Sequence, residues 1–120
     1  MLVSHSAGLA REAAAFVREI AGDDAVVGWA GGTGDGGLGT SVELIAAAVE
    51  GAQRGDGVVV VPDLGSSVLT ARLLAEPGVV VVAEAPFVEG ALAAAVTAGA
   101  GAPLDAVLAA ALEAWTFRKG

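Results

Sequence analysis

The run Gly57-Val58-Val59-Val60-Val61-Pro62 decides the fold of this 120-residue chain, because four consecutive β-branched residues stand between a glycine and a proline. Residues 78–83 contain a similar run, with four valines between a glycine and an alanine. Both runs are apolar throughout and do not alternate with polar residues, which is typical of strands buried on both faces in a parallel sheet. Two weaker runs, residues 2–4 and 25–29, are predicted to be strands of the same sheet.

Two segments between these strands have the periodicity of amphipathic helices. Residues 9–20 are predicted to form the first helix, and Gly22 follows as a stop signal. The apolar face of this helix is expected to contain Leu9, Ala13, Phe16, Val17 and Ile20. The stretch from Thr40 to Glu43 has the form of a capping box, so both residues are assigned to capping and a second helix should begin near Ser41.

Three more helices are predicted in the second half of the chain. One runs from Ser66 to Ala75, and Pro86 and Pro103 each suit the first position of a later helix. The last helix carries the widest apolar stripe of the sequence, which the core or a second subunit must cover; its members are Leu104, Val107, Leu108, Ala111, Leu112 and Trp115.

The alternation of strands and helices implies an α/β fold. We predict an open, mainly parallel four-stranded sheet of order 2-1-3-4 with helices on both faces. Residues 1–120 are expected to form a single domain, since no repeat or linker divides them.

Composition narrows the classes of partner. Six basic residues against fourteen acidic ones give a net charge of −8, and no basic cluster exists, so neither nucleic acid nor a membrane surface is an expected partner. The lack of cysteine excludes disulfides and thiolate metal sites. The longest uncharged stretch, residues 90–104, is too short to span a bilayer, and the first residues do not resemble a signal peptide. We therefore expect a cytoplasmic protein.

Glycine- and hydroxyl-rich turns follow three of the predicted strands. Strand 1 is followed by His5, strand 2 by residues 30–40, and strand 3 by Asp63 and residues 65–67. In the predicted order, the direction of winding reverses between strands 1 and 3, which makes His5 and Asp63 neighbours although they are far apart in the sequence. Backbone amides in such turns favour an oxyanion, while no Walker motif is present. The sequence predicts an anion-binding crevice.

His5 is the only histidine, and in a phosphate-sized crevice it is a candidate nucleophile that accepts a phosphoryl group. Asp63 would fix one ring nitrogen and leave the other free, while Thr33 and Ser66 would hold phosphoryl oxygens. Three alternatives remain: His5 could be a surface or capping residue, Asp63 could cap the following helix, and the glycine-rich loop could be a flexible connection. No metal site is expected, since no cluster of ligands exists.

Five motifs along the chain resemble, in order, the mannose-type enzyme IIA domain of the dihydroxyacetone kinase phosphotransfer subunits (DhaM) of the bacterial phosphotransferase system. They are Val3-Ser-His-Ser6, Ala30-Gly-Gly-Thr33, Gly37-Leu-Gly-Thr-Ser41, Asp63-Leu-Gly-Ser-Ser67 and Ala85-Pro-Phe-Val-Glu-Gly-Ala91. The resemblance covers nearly the whole chain.

The resemblance implies that the phosphocarrier protein HPr phosphorylates His5, which passes the phosphoryl group to ADP bound to the kinase subunit DhaL. It implies that Asp63 orients the histidine and that the phosphate site is lined by Gly32, Thr33, Gly65 and Ser66. A homodimer is implied as well. The chain itself would need no cofactor, because the ADP and magnesium belong to the partner.

Some features depart from the family pattern. Pro62 is unexpected before Asp63, since proline fixes the backbone there and removes a donor from the sheet. Some family members contain fused HPr-like and enzyme I-like domains, which are expected here to be separate proteins. Two other functions remain open: a sugar-transporting enzyme IIA that donates to an enzyme IIB, and a non-catalytic module that binds a small anion. The Asp-Leu-Gly-Ser-Ser and Pro-Phe-Val-Glu-Gly motifs favour the kinase subunit.

Overall fold

Four strands form a parallel sheet in the computed structural model, which describes residues 1–120. The sheet order is β2-β1-β3-β4, and each pair of neighbouring strands is parallel. The strands are β1 (Leu2–Ser4), β2 (Trp29–Gly31), β3 (Val58–Pro62) and β4 (Val80–Val82). The helices are α1 (Ala7–Ala21), α2 (Val42–Ala52), α3 (Gly65–Arg72), α4 (Phe87–Gly99) and α5 (Leu104–Glu113), followed by a 3-10 turn (Ala114–Thr116).

The valine run forms the buried centre of this sheet. Val59 and Val61 pack in a core with residues of α1, α4 and α5. Val58 and Val60 pack in a second core with residues of α2 and α3. Because successive side chains of a strand point to opposite faces, an uninterrupted apolar run fills both cores. The predicted α/β fold, its strand order and its helices on both faces are confirmed.

The predicted position of strand 2 was wrong. The strand begins at Trp29, whereas residues 25–28 have no regular structure. The guanidinium of Arg18 donates to the carbonyl oxygen of Val27 from Nε at 3.1 Å and from Nη2 at 2.5 Å. That carbonyl is therefore bonded to a side chain of α1, and pairing with β1 starts only at the next residue, where Leu2 N–H donates to Gly28.

Helix α1 begins and ends near the predicted residues, but it buries a different face. Ser6 caps its N-terminus by accepting a hydrogen bond from Leu9 N–H at 3.2 Å, and Gly22 ends it with a φ of +83°. The buried residues are Ala10, Ala13, Ala14 and Val17, while Leu9, Phe16 and Ile20 are exposed. The face of small residues lets α1 approach the sheet and α4 closely, which leaves the larger side chains outside.

The cap of α2 lies one residue later than the capping box predicted. Ser41 is the N-cap and accepts a hydrogen bond from Leu44 N–H at 3.3 Å, and its hydroxyl donates to Glu43. Thr40 instead pairs with Thr70 of α3, with 2.8 Å between the two hydroxyl oxygens. The capping role assigned to Thr40 was therefore wrong, and this residue links the end of the glycine-rich loop to α3.

The later helices differ from their predictions by a few residues. Helix α3 ends at Arg72 and not at Ala75, while Pro86 and Pro103 precede their helices as N-caps. Val107 and Ala111 of the predicted apolar stripe are buried, and Leu112 and Trp115 are exposed. None of the helices combines the length and the apolar character needed to cross a membrane.

Candidate active site

The two central strands deliver His5 and Asp63 to the same edge of the sheet. Val61 N–H donates to Met1 and Asp63 N–H donates to Val3, so the alternate amides of β3 face β1. Pro62 lies between them and has no N–H. An N–H at this position would point toward β4, but that strand has already ended at Val82. The unexpected proline therefore removes no hydrogen bond to β1, and Asp63 remains in the ladder beside the end of that strand.

The imidazole of His5 contacts the carboxylate of Asp63 directly. Nδ1 lies 3.0 Å from Oδ1, and the backbone N–H of His5 donates to Oδ2 at 3.2 Å. A carboxylate only accepts hydrogen bonds, so the proton of a neutral ring resides on Nδ1 and the lone pair on Nε2. The imidazole is 23% exposed, which leaves it accessible at the surface while the carboxylate is mostly covered.

Asp63 is held as an anion by hydroxyl and amide donors. Ser67 donates to Oδ1 at 2.7 Å, and Ser4 donates to Oδ2 at 2.8 Å. Burial raises the pKa of this carboxyl, but the hydrogen bonds from Ser67, Ser4 and His5 outweigh that effect and lower the pKa to about 2. The N-cap of α3 is Leu64, which makes no side-chain cap bond, so Asp63 faces the histidine and does not cap this helix.

The second ring nitrogen of His5 lies beside the first turn of α3. Nε2 contacts the hydroxyl of Ser66, and Gly65 is the first residue of this helix. The first amides of a helix have no acceptor within the helix and carry its positive end, so they favour an anion. Of the four residues predicted to bind phosphate, the structure thus places Ser66 in contact with Nε2 and Gly65 directly before Ser66 in the same helical turn.

The glycine-rich loop after β2 is bonded to the backbone on both sides of the histidine. Gly32 N–H donates to Ser4 at 3.3 Å, and Gly39 N–H donates to the carbonyl oxygen of His5 at 2.9 Å. These bonds show that residues 32–40 are more than a flexible connection.

Inside this loop the hydroxyl of Thr33 donates to the carboxylate of Asp35. The N–H of Gly37 donates to the same carboxylate at 2.9 Å, and both bonds lower the pKa of Asp35. Gly32 and Thr33 are the other two residues predicted to bind phosphate. Gly32 lies at the end of β1, where it is bonded to Ser4. The hydroxyl of Thr33 is bonded to Asp35 within the loop.

Sequence reasoning missed two residues of the site, Ser4 and Ser67. Both are fully buried, and both donate to Asp63. Ser67 also lies 3.0 Å from Nδ1 of His5. A usable signal was the position of Ser67 in the first turn of the helix that follows Asp63, which keeps the two residues close in space.

A cavity between the sheet and the helices lies away from these residues. It has a volume of about 540 Å³, a mostly apolar lining that includes Val58, and neither His5 nor Asp63 among its residues. The candidate active site is instead built on strand ends, with the imidazole of His5 partly exposed at the surface. No group of three or more His, Cys, Asp or Glu side chains is arranged to hold a metal ion.

Comparison with known proteins decides the family. The model of the family described as PTS system fructose IIA component, EIIA-man, matches residues 1–108. This chain belongs to the EIIA-man family. A crystal structure of a protein of unknown function, EF1359, resembles this EIIA-man chain with a TM-score of 0.76 and 31% sequence identity, over 93% of this chain and 90% of the other.

Named relatives of this EIIA-man chain include two phosphoryl donor subunits. The PEP-dependent dihydroxyacetone kinase, phosphoryl donor subunit DhaM, of Pantoea ananatis is 36% identical over 123 residues, which cover 95% of this chain and 26% of that protein. The PEP-dependent dihydroxyacetone kinase 2, phosphoryl donor subunit DhaM, of Listeria innocua is 32% identical over 116 residues, which cover 90% of this chain and 91% of that protein. The chain thus spans 26% of the length of the first relative and nearly all of the second.

Proposed function

We propose that this chain is a phosphohistidine carrier of a dihydroxyacetone kinase, in which His5 accepts a phosphoryl group from phospho-HPr and donates it to ADP on a DhaL subunit. The contact between His5 Nδ1 and Asp63 Oδ1 carries the proposal, because it leaves Nε2 as the nucleophile. The names of the relatives, phosphoryl donor subunits of PEP-dependent dihydroxyacetone kinases, support the choice of system.

In the first half-reaction, Nε2 of His5 attacks the phosphorus of phospho-HPr. A new nitrogen–phosphorus bond forms, and the donor's nitrogen–phosphorus bond breaks with its electron pair returning to the donor. The ring of His5 keeps the proton on Nδ1 and gains positive charge, which the Asp63 carboxylate stabilises at 3.0 Å. In the second half-reaction, a terminal oxygen of ADP attacks the same phosphorus, which produces ATP and neutral His5.

The phosphoryl oxygens would be held at the N-terminus of α3. The hydroxyl of Ser66 contacts Nε2 before the reaction, so it must rotate away and can then donate to a phosphoryl oxygen. The amide of Gly65 is assigned to the same task, whereas the amide of Gly32 would join it only after leaving the carbonyl oxygen of Ser4. Thr33 would join them only after its hydroxyl leaves Asp35.

Incubation with phosphoenolpyruvate, enzyme I and HPr tests this function. We expect one acid-labile phosphate per chain in the wild-type protein and none in His5→Gln. No incorporation into the wild type would contradict the proposal. Reversible phosphate binding that survives His5→Gln, together with no labelling by HPr, would instead establish the non-catalytic anion-binding module.

The carrier is proposed to work without a metal or cofactor of its own, because the Asp63 anion and the helix amides supply the charge stabilisation. Transfer from purified phospho-HPr should therefore keep its rate in the presence of EDTA. A rate that falls with EDTA and recovers with magnesium would contradict this part of the proposal. ADP and magnesium are assigned to the acceptor protein.

A sugar-transporting enzyme IIA is the second candidate, since the description of the family names a fructose system. The two functions share the first half-reaction and differ in the acceptor. Phosphorylated protein should form ATP with DhaL and ADP, and it should not transfer its phosphate to a mannose-type enzyme IIB. The reverse result would favour the sugar system.

We also propose that the chain forms a homodimer through the end of α5 and the turn that follows. Leu112, Trp115 and Phe117 are exposed there, so burial against a second copy would remove a large apolar surface from water.

A further inference from the structure

Two exposed leucines flank His5 on opposite sides. His5 follows β1, Leu38 lies in the loop after β2, and Leu64 directly follows Asp63 at the end of β3. Since β1 lies between β2 and β3, the sheet order places the histidine between the two leucines. Leu38 is 80% exposed and Leu64 is 62% exposed, so both side chains present apolar surface to solvent beside the histidine.

Hydrogen bonds fix the backbone of both leucines to the site. The residue after Leu38, Gly39, donates its N–H to the carbonyl oxygen of His5 at 2.9 Å. The N–H of Leu64 itself donates to Oδ1 of Asp63 at 2.8 Å. The imidazole is only 23% exposed, so a protein that reaches Nε2 must approach close to these two side chains.

The turns that surround the histidine contain no basic residue. Residues 4–10, 31–41 and 63–70 contain the turns of the site, and beyond the His5–Asp63 pair their only charged residue is Asp35. A partner that fits this surface therefore presents apolar side chains opposite the leucines, with basic residues around them.

We propose that Leu38 and Leu64, here called the leucine rim, form the docking surface for the protein that delivers the phosphoryl group to His5. The proposal rests on the proposed function, because protein-to-protein transfer requires the two reacting nitrogens to approach the same phosphorus. The occupant is a phosphorylated protein whose active face is apolar and flanked by basic residues. Burial of the leucine rim against the partner would contribute favourable contact energy.

Comparison of two phosphoryl donors tests the leucine rim. Leu38→Gln and Leu64→Gln each keep a side chain of similar size but make it polar. Each variant is phosphorylated at His5 with phospho-HPr and, separately, with phosphoramidate, a small donor that needs no docking surface. We expect the ratio of the protein-dependent to the phosphoramidate-dependent kcat/KM to fall about five- to thirtyfold, mainly through KM.

Leu73→Gln is the matched control, because Leu73 is 75% exposed but lies just past the opposite end of α3. Its ratio should equal that of the wild type. The leucine rim is refuted if both donors slow equally in the rim variants, if the ratio is unchanged, or if Leu73→Gln lowers it to the same extent. A wild-type protein that reacts with phosphoramidate but not with phospho-HPr would refute the proposed function itself.

Discussion

At the residue scale, the chemistry of His5 depends on the charge of Asp63, and that charge depends on neighbouring hydroxyl groups. The Ser67 hydroxyl donates to Oδ1, the atom that also contacts His5 Nδ1. The Ser4 hydroxyl donates to Oδ2. Since each hydroxyl stabilises the ionised carboxylate, together they keep an anion beside the ring and so favour the Nδ1–H form of the histidine.

Ser67→Ala should raise the pKa of Asp63 from about 2 toward its ordinary value of 3.8, because a donor to Oδ1 is lost. A loss of about 1 kcal/mol in the free energy of unfolding should accompany the change, as for a typical buried hydrogen bond. Carbon-13 NMR titration of the carboxyl measures the pKa. Ser66→Ala is the control, since its hydroxyl contacts Nε2 and not the carboxylate. An unchanged titration of Asp63 in Ser67→Ala would show that this hydroxyl is not needed.

Asp63→Asn should remove a pH-dependent contribution to stability. The folded-state pKa of about 2 is below the ordinary value of 3.8, so the carboxylate stabilises the fold above pH 4 and loses this effect as the pH falls toward 2. The contribution is about 1–2 kcal/mol after allowance for screening by solvent. Urea unfolding across this range should show the wild-type advantage over Asp63→Asn shrinking with falling pH. A difference that stays constant from pH 7 to pH 2 would contradict the assignment.

At the element scale, the glycine-rich loop reaches the histidine because β2 ends at Gly31 and a second glycine, Gly32, follows it. A Cβ atom on Gly31 would lie 2.5 Å from the carbonyl oxygen of Ser6. Gly32 has a φ of +72°, which favours glycine. The loop can therefore pass close to the first turn of α1 and continue to Gly39, which is bonded to His5.

Gly31→Ala should destabilise the protein by about 1–3 kcal/mol, because the clash is with backbone that has little room to move. It should also slow phosphoryl uptake, since the loop beside His5 is displaced. Gly51→Ala is the matched control: a Cβ atom there would meet no other atom within 4 Å, and alanine in α2 should stabilise by up to about 1 kcal/mol. Urea unfolding midpoints would separate the two variants. Equal stability of Gly31→Ala and the wild type would disprove the close approach.

The elements that could be predicted from the sequence are those set by a local pattern. The valine run of β3 required burial on both faces, and Gly22 ended α1 as expected. The elements that could not be predicted depend on distant contacts. Strand β2 starts later than predicted because the side chain of Arg18 in α1 bonds to the carbonyl oxygen of Val27. Thr40 does not cap α2 because its hydroxyl is bonded to the hydroxyl of Thr70. No local pattern contains these partners.

At the scale of the whole molecule, the site exists because the sheet order brings two distant segments together. The order 2-1-3-4 alone was enough to predict that His5 and Asp63 are neighbours, since both follow central strands. The same reasoning could not find Ser4 or the direction of the Thr33 hydroxyl, which are set by side-chain hydrogen bonds inside the site.

The proposed homodimer predicts a change in mass when its apolar surface is altered. Sedimentation equilibrium should give twice the chain mass of 11.6 kDa for the wild type. Trp115→Glu should shift the protein toward the monomer, because a charge would be buried at the interface. Leu73→Glu, at an exposed leucine elsewhere, is the control and should remain dimeric. A monomeric wild type at all concentrations tested would contradict the proposal.

The most direct measurement is NMR of protein labelled with nitrogen-15 in its single histidine, before and after reaction with phospho-HPr. We predict a resting ring with its proton on Nδ1 and, after the reaction, one phosphorus coupled to Nε2 of His5. A phosphorus on Nδ1, or a ring that remains unmodified while HPr keeps its phosphate, would contradict the proposed chemistry.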